Sequence, residues 1–469
     1  MAKSDIELAY AALAAKLPTY DKLFAYVSGN QPLVYSTHRL QEAFRSLTAH
    51  FQQDWCSVVV NAALDRMTLS GFDADSDALN DTLKTCWNEN GMGIESTQVH
   101  EMALITGEAF VIAWEGENGI EVFANDPRLC HVFYESANRH KKRFAAKWFK
   151  DEAAACWRLT LYYPDRQEYY RTQETTGDPS SAMQFEPDVE LPTAPNPYGI
   201  IPVFHFRGNP RSGQGELSDI LSLQDAVNKL LADMMVSAEY GAFKQRYIIS
   251  NSDTADLKNA PNLIWNIPAG DGQGQPVQVG EFQGTDLNLY LNAIDKLANS
   301  IAIISRTPKH YLFGAGGSLS GEALLAMEAP LNKKVAKLED NYGAVWQEVA
   351  SFLLLLSGKG EVSPSSIKPI WQPPESVQPL TEAQARKTAV EAGVPLVTEL
   401  KREGWTDDEI AAMQKDAEEA KKGTATTATA LLDTLRIRDA QANPAGQPQP
   451  GVTPPALAPF AAATARAAK

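Results

Sequence analysis

The segment Lys309–Gly321, KHYLFGAGGSLSG, brings a cation, an imidazole and a phenol together with four glycines. A glycine-rich segment that opens a helix can bind phosphate through its backbone N–H groups. Phosphate-binding loops of that kind follow a strand, whereas a helical pattern and Thr307-Pro308 precede this one. The segment therefore resembles a nucleotide-binding loop only superficially.

Other side chains that could do chemistry are scattered along the chain. The sequence contains no GxxxxGK[ST], no HExxH, no GxGxxG after a strand and no nucleophile elbow. His38, His100 and His205 stand among apolar residues and are interpreted as packed or surface groups. Asp54 and Asp65 flank an apolar helical face, where capping or ion pairing is expected. We predict no catalytic residues, no metal site and no cofactor.

The glycine-rich segment must be positioned by the helical pattern that precedes it. Its apolar residues are spaced by three and four, which predicts an amphipathic helix: Leu287, Leu291, Ile294, Leu297, Ala298, Ile301 and Ile304. The opposite face is polar with little net charge: Asn288, Asn292, Asp295, Asn299, Ala302 and Arg306. Thr307-Pro308 should end this helix, because proline disfavours helical geometry in the residue before it.

A second, longer helix should follow the glycines. Ser320 is a suitable N-cap, and Glu322 in the first turn is favourable to the helix dipole. The pattern runs to about Leu356, which gives a length of about 50 Å. Pro330 inside it removes one hydrogen bond and should bend the helix.

Composition and charge limit the function classes. The formal net charge is −16, with 44% hydrophobic and 21% charged residues. An acidic chain argues against binding along the outside of nucleic acid, but it does not exclude DNA that must pass by without sticking. The longest apolar run, Phe352–Leu356, is too short to span a bilayer, and the N-terminus indicates a helix and no signal peptide. Four widely spaced cysteines without a CxxC pair disfavour structural zinc and favour a reduced intracellular compartment.

The first half of the chain changes from helical to strand periodicity. Two helical segments divided by Pro18 and closed by Gly29 are predicted, followed by helices over Thr37–Asp65 and Asp81–Gly107. Six short segments rich in β-branched and aromatic residues then predict antiparallel strands: EAFVIAWEG, IEVFANDP, HVFYES, RFAAKWFK, CWRLTLYYPD and QEYYRTQ.

The second half returns to helices. A loop over 174–198 and a strand over Ile200–Phe206 lead to a helix that ends near Phe243. A small β-rich insert (RYIIS, NLIWNIP and PVQVGEF) separates this helix from the one that begins near Asp286. A proline-bearing connection after Gly358 precedes helices at about 381–392 and 396–420. From Gly423 the composition of Ala, Thr, Pro and Gln predicts a mostly disordered tail.

In this order, the segments resemble the SPP1-type portal proteins of tailed bacteriophages over roughly residues 20–420. The resemblance is carried by YVSGNQPL with RLQEAFRSLTAHFQQDWCSVVVNAALDRM, GEAFVIAW, VFANDPRLCHVFY, LTLYYPD, IPVFHFRGNP, GQGELSDILSLQDAVNKLLADMM, YIISN, PNLIWNIPAGDG, VQVGEF, DLNLYLNAIDKLANSIAIISRTPKHYLFG and GSLSGEALLAMEAPLNKKV. Each piece is weakly specific, whereas their order is highly specific. The short, alanine-rich C-terminal region departs from some relatives, so crown contacts transfer least securely.

The resemblance implies an α+β portal fold. Its parts would be a wing of mixed helices and strands, a two-helix stem, a small β-rich clip, a long kinked wing helix and a helical crown, assembled as a ring. The corresponding ranges are wing 1–210, first stem helix 211–246, clip 247–285, second stem helix 286–308, tunnel loop 309–321, long wing helix and connection 322–379, crown 380–422 and tail 423–469.

The resemblance also implies a function. A ring, usually of twelve subunits, would sit at one capsid vertex of the virion as the conduit for double-stranded DNA during packaging and ejection. Its partners would be the major capsid protein and scaffold, the terminase large subunit that supplies ATPase activity, and head-completion or adaptor proteins, with assembly in the host cytoplasm and no membrane. Two alternatives remain: another structural virion or scaffold protein, and a nucleic-acid-processing enzyme, which the missing catalytic motifs disfavour.

The resemblance assigns site residues to three regions. The tunnel loop contributes Lys309, His310, Tyr311, Gly314, Gly316, Gly317 and Ser318. The channel-facing stem contributes Asn288, Asn292, Asp295, Asn299 and Arg306, and the clip, where partners dock, contributes Asn262, Trp265, Asp271 and Gln275. An open alternative is that Lys309 faces solvent or pairs with an acidic neighbour and that Tyr311, Leu312 and Phe313 pack between subunits.

Overall fold

The computed structural model describes ten stretches of the chain: residues 4–31, 52–116, 119–173, 177–209, 213–242, 246–249, 278–312, 321–372, 386–402 and 410–416. The chain divides into two compact units, Met1–Glu375 and Ser376–Lys469. Both helices and antiparallel strands build the first unit, so the α+β class is confirmed.

The N-terminal helix, α1 (Asp5–Val27), is continuous through Pro18. The prediction of two segments divided at that proline is therefore wrong. Proline lacks the N–H that would bond to the carbonyl of Ala14, which weakens one turn of the helix. Leu13 and Leu23 are buried on either side of Pro18, and this burial holds the two halves in one helix.

The next helices are shorter than the sequence indicated. Of the helix predicted over 37–65, α2 (Trp55–Leu64) is described, and residues 32–51 lie outside the described part of the chain. The helix predicted over 81–107 is two helices, α3 (Asp77–Glu89) and α4 (Met92–Thr106). Gly91 separates them with a φ of 61°, a left-handed conformation that glycine adopts without steric cost.

The strands predicted from the short segments rich in β-branched and aromatic residues are confirmed. They are β2 (Glu108–Gly116), β3 (Gly119–Asn125), β4 (Cys130–Tyr134), β5 (Lys142–Asp151), β6 (Cys156–Tyr162) and β7 (Arg166–Arg171). The range 174–198, predicted to be a loop, contains the two-residue strands β8 (Glu186–Pro187) and β9 (Ala194–Pro195), which both pair with β7. The strand predicted over 200–206 is β10 (Val203–Arg207).

These strands form two antiparallel sheets. One has the order β10-β2-β3, and the other continues from β4 through β5, β6 and β7 to β8. A third sheet pairs β1 (Leu69–Asp73) with β13 (Lys368–Trp371), and no strand was predicted at either place.

The described helices of the second half carry the candidate site. They are α5 (Leu221–Ala242), α6 (Asn288–Ser305), the short α7 (Lys309–Leu312) and α8 (Gly321–Leu356). Between α5 and α6 the strands β11 (Arg246–Ile249) and β12 (Gln278–Glu281) form an antiparallel pair. The predicted end of the long helix at Leu356 and the position of Pro330 inside it are confirmed.

The main core forms where α8 crosses the N-terminal helices and β10. Trp346 is fully buried and donates a hydrogen bond from Nε1 to Nε2 of His100 at 2.9 Å. The bond requires a neutral imidazole, and burial lowers the pKa of His100 to about 4. The interpretation of His100 as a packed residue is confirmed.

A second buried polar cluster joins α1 to the sheet of β2 and β10. The carboxylate of Glu108 accepts a hydrogen bond from Tyr20 Oη at 2.7 Å, forms an ion pair with Lys16 and lies 3.0 Å from His205 Nε2. Burial opposes ionisation of Glu108, but the hydrogen bond from His205 and the charge of Lys16 hold its pKa well below the usual range. His205 is thus a packed residue, as interpreted from the sequence, and His38 lies outside the described residues.

The second unit is helical where it is described, at 386–391, Leu396–Arg402 and 410–416. These helices fall within the predicted segments 381–392 and 396–420. The predicted tail over 423–469 lies outside the described residues. None of the described helices has the length and apolar composition that crossing a membrane requires.

Candidate functional site

The candidate site lies on α5 and α6, which pack against each other between the first unit's core and the β11–β12 pair. Val227 of α5 and Ile294, Ala298 and Ile301 of α6 are buried in the main core. Farther along the two helices, the hydroxyls of Ser237 and Tyr290 form a hydrogen bond of 3.0 Å. The two helices therefore form one hairpin whose base belongs to the core.

The predicted polar face of α6 is largely exposed. Asn288, Asn292, Asn299 and Arg306 are exposed, and Asp295 is half-buried. Amide groups at this spacing lie along one side of a helix and offer hydrogen bonds without fixed charge.

The limits of that polar face differ from the prediction. Ala302, placed on the polar face, is buried, whereas Leu291 and Ile304, placed on the apolar face, are 43% and 47% exposed. The buried stripe of α6 is narrow because only residues at spacings of three and four around Ala298 reach the core. Leu289 and Ile303 lie outside this stripe and are 65% and 70% exposed.

The end of α6 is held by α8. Lys334 is buried, and its ammonium donates to the carbonyl of Ser305 at 2.8 Å and to Oε2 of Glu216 at 3.0 Å. A cation at a helix C-terminus satisfies a free carbonyl and complements the helix dipole. Arg306 follows with a φ of 57°, in the left-handed region that a non-glycine residue rarely adopts.

The segment predicted to be a tunnel loop over 309–321 is helical at both ends. Lys309–Leu312 form α7, and Gly321 is the first residue of α8. The candidate residues Gly314, Gly316, Gly317 and Ser318 lie outside the described residues, as does the expected N-cap, Ser320. Pro308 suits the start of α7 because its fixed φ is compatible with a helix.

The structure brings two candidate residues together as an ion pair. The ammonium of Lys309 lies 2.9 Å from Oδ1 of Asp295, and the two side chains are 37% and 41% exposed. Lys309 thus pairs with an acidic neighbour, which was the alternative left open by the sequence.

Tyr311 and His310 face the protein and not open solvent. The hydroxyl of Tyr311 donates to Oε1 of Glu328 at 3.1 Å and accepts from the guanidinium of Arg66 at 2.8 Å. His310 Nε2 lies 3.8 Å from the same Glu328 oxygen, and Leu312 is buried. Arg66 and Glu328 were missed from the sequence, because nothing in the local pattern around Arg66 indicates a partner 245 residues away.

The β11–β12 pair lies at the far end of the hairpin. Tyr247 lies over the backbone of Gly280 and its ring contacts Phe282, with 5.2 Å between the ring centroids. Ile249, Val279 and Phe282 are exposed. The candidate clip residues Asn262, Trp265, Asp271 and Gln275 lie outside the described residues.

The arrangement presents hydrogen-bonding groups and cations to solvent. Within the described stretches, no group of three or more His, Cys, Asp or Glu side chains is placed to hold a metal ion. The four cysteines are buried as free thiols. The α6 face presents asparagine amides and the Arg306 guanidinium, and α7 adds the ammonium of Lys309, which is paired with the Asp295 carboxylate.

Comparisons with known proteins gave the following similarities. The family model described as phage portal protein, SPP1 Gp6-like, matches residues 9–423. The chain is 24% identical over 430 residues to the portal protein of Mycobacterium phage L5, covering 84% of this chain and 83% of the relative. It is 23% identical over 428 residues to the portal protein of Mycobacterium phage D29, covering 87% and 85%. Among solved structures, a chain of the neck of an empty GTA particle, computed with C6 symmetry, matches with a TM-score of 0.46 and 13% identity, covering 82% of this chain and 98% of that chain.

Proposed function

The chain belongs to the SPP1 Gp6-like family of phage portal proteins, and from this premise we propose that twelve copies form the ring that conducts double-stranded DNA at one capsid vertex. Portal proteins are structural components of the virion and not enzymes, and the packaging conduit is the role of the family. The subunit number and the division of labour within the chain are the parts proposed here.

In this ring, α5 and α6 form the stem, the region 247–285 forms the clip, and 309–321 forms the tunnel loop. The wing comprises 1–210 with the long helix and connection over 322–379, and the crown comprises 380–422. Terminase large subunit and adaptor proteins dock at the clip in turn, and the major capsid protein and scaffold contact the wing. Assembly takes place in the host cytoplasm.

The observation that carries the DNA-conducting role is the exposed polar face of α6. Asn288, Asn292 and Asn299 offer hydrogen bonds but no charge, so phosphates exchange partners along the face at little energetic cost. The net charge of −16 per subunit repels phosphate over a Debye length of about 8–10 Å. Twelve copies would multiply this charge, and DNA would slide with little affinity for the wall.

The Lys309–Asp295 pair gives this wall a paired cation that DNA can recruit, beside the exposed Lys296 and Arg306. A pair in which both side chains are more than a third exposed contributes only about 0–1 kcal/mol. A phosphate can therefore replace the Asp295 carboxylate as the partner of Lys309 at small cost. Asp295 neutralises Lys309 between contacts, so each grip on DNA is transient.

The assembly is tested by size. We expect the purified protein to form a closed ring of several hundred kilodaltons with an axial hole in electron micrographs. A 51.2 kDa monomer at every concentration, with no rings in capsids, would contradict the proposal.

The grip on DNA is tested by two variants with opposite expected effects. Lys309→Ala removes the cation and should reduce the DNA retained per head, whereas Asp295→Asn releases Lys309 from its partner and should slow DNA movement through the ring. Lys150→Ala is the control, because it removes another surface ion pair, between Lys150 of β5 and Glu152 (3.1 Å), whose side chains are 43% and 80% exposed. All three should assemble rings normally. Full retention in Lys309→Ala would exclude this lysine from the mechanism.

A further inference from the structure

One side chain in the first unit contacts three separate elements at the base of the hairpin. Arg66 lies just beyond the end of α2, and its NH1 group donates to the Ala62 carbonyl at 2.9 Å. Its NH2 group donates to the Tyr311 hydroxyl of α7 at 2.8 Å and to Oε2 of Glu328 of α8 at 3.1 Å. Arg66 therefore joins α2, α7 and α8 at a single point.

These contacts are well shielded from water. The side chains of Arg66 and Glu328 are 11% and 17% exposed, against 37% and 41% for Lys309 and Asp295. A charge-assisted hydrogen bond away from water is stronger than one at the surface, and breaking it leaves a poorly solvated charge. The Arg66 cluster is thus a fixed contact, whereas the Lys309 pair is an exchangeable one.

The two partners of Arg66 lie on either side of the glycine-rich segment. Tyr311 precedes residues 313–320 and Glu328 follows them, and the two are joined directly by the hydrogen bond from Tyr311 Oη to Glu328 Oε1 of 3.1 Å. A displacement of α7 relative to α8 would therefore break the contacts of Arg66 with one or both of them.

We propose that Arg66 is a positioning residue of α7, the described start of the segment 309–321, and that it acts through Tyr311 and Glu328. The inference rests on the proposed function, in which this segment faces DNA. By fixing α7 to the wing core and to α8, Arg66 sets where Lys309 is presented and limits how far α7 moves relative to α8.

The geometry requires arginine and not merely a positive charge. The planar guanidinium places two donors in a fixed fork, one directed at the Ala62 carbonyl and the other shared between Tyr311 and Glu328. The Arg66 guanidinium also lies 5.7 Å from the centre of the Tyr311 ring. The lysine side chain has a single nitrogen, so it lacks the two separate nitrogens with which Arg66 reaches these three oxygen atoms.

Hydrogen–deuterium exchange of assembled full-length rings tests the positioning directly. In Arg66→Lys and Tyr311→Phe, we expect the α7 amides, including the Tyr311 N–H bonded to the Pro308 carbonyl at 3.0 Å, to exchange about tenfold faster or more. Tyr163→Phe is the matched control, because it removes a tyrosine–carboxylate hydrogen bond to Asp5 of 2.9 Å elsewhere in the unit. It should leave α7 exchange unchanged.

Two further measurements distinguish positioning of α7 by Arg66 from a general contribution of Arg66 to stability. Arg66→Glu combined with Glu328→Arg should recover slow α7 exchange relative to Arg66→Glu alone, which general destabilisation would not predict. Arg66→Lys should also lower the DNA retained per head while rings still assemble.

The failures are distinguishable. Wild-type α7 exchange in both Arg66→Lys and Tyr311→Phe would overturn the inference. If the α7 amides of these variants exchange faster but the heads retain all their DNA, Arg66 positions α7 but the proposed DNA contact of the segment 309–321 is refuted. If Arg66→Lys does not assemble, Tyr311→Phe, which removes one hydroxyl, decides between these results.

Discussion

Replacing Gly215 with alanine tests how the hairpin is attached to the first unit. Gly215 lies six residues before α5, where the chain passes directly over the end of α4. A Cβ atom at this position would overlap its nearest neighbour, the Ile105 carbonyl oxygen, and would lie 2.6 Å from the Ile105 carbonyl carbon and 2.7 Å from the Leu104 carbonyl oxygen. These are backbone atoms, so no side-chain rotation can relieve the contact.

The expected loss of stability follows from the displacement that this contact forces. Ordinary contact begins near 3.4 Å, so the two backbones must separate by at least the difference between 3.4 and 2.6 Å, about 0.8 Å. The adjacent hydrogen bond from Glu216 N to the Leu104 carbonyl, 2.8 Å long, cannot survive that shift. Overpacking costs about 1–3 kcal/mol and the unsatisfied buried group about 1–3 kcal/mol more, so we expect a loss of about 2–6 kcal/mol.

Urea unfolding followed by tryptophan fluorescence, at one protein concentration, measures this loss. Two other glycines serve as controls, because neither would bring a Cβ within 4 Å of another atom. Gly213→Ala carries only the strain of its φ of 64°, a loss of about 1–2 kcal/mol. Gly93→Ala, in α4 without a positive φ, should be neutral or stabilising by up to about 1 kcal/mol. If the free energies of unfolding of Gly215→Ala and Gly213→Ala agree within error, the backbone contact at Gly215 does not determine how the hairpin is attached, and the reasoning is refuted.

Two further predictions concern single side chains near the candidate site. Burial, together with the charge of Asp340, raises the pKa of Glu339 to about 7, so the folded protein binds this proton more tightly than the unfolded chain. The stabilisation that protonated Glu339 contributes is complete below the ordinary glutamate pKa and is lost as the pH rises through 7. In Glu339→Gln this pH-dependent loss of stability should disappear. If the urea midpoints of the wild type and the variant fall in parallel between pH 5 and 8, the prediction is wrong. Arg306→Gly should stabilise the protein by about 1–2 kcal/mol because it relieves the left-handed φ of 57°, whereas Arg306→Ala keeps the strain; equal unfolding midpoints for the two variants would show that no strain is stored there.

Strands were predictable where local pattern and long-range packing agree. The segment that forms β5 pairs along β6, as in Ala146 opposite Leu161, and the buried residues of both strands match their apolar positions. Leu69–Asp73 forms a strand only because Lys368–Trp371, about three hundred residues later, lies beside it. With Gly71 in its centre the segment has little strand propensity of its own, so its pairing could not be predicted locally.

The candidate site shows the same division. The amphipathic pattern predicted α6 and its exposed asparagines. Helical spacing alone could not show that Ala302 is buried and Ile304 is exposed, because burial depends on which elements of the fold pack against each side of α6. The partner of Lys309 was left open because Asp295 comes within reach only through the turn at Arg306. The contact of Tyr311 with Arg66 depends on the tertiary fold and has no signal in the sequence.

The ammonium of Lys334 has a mechanical consequence. It bonds to the last residue of α6, Ser305, and to Glu216 just before α5, so one atom sets the spacing of the two helices at their base. An 18-residue helix is about 27 Å long and packed helices lie about 8–10 Å apart, so a slip of about 1 Å at the base tilts the pair enough to swing its tip by about 3 Å. In the proposed ring, this buried contact in each subunit would set the diameter of the aperture at the far ends of the hairpins.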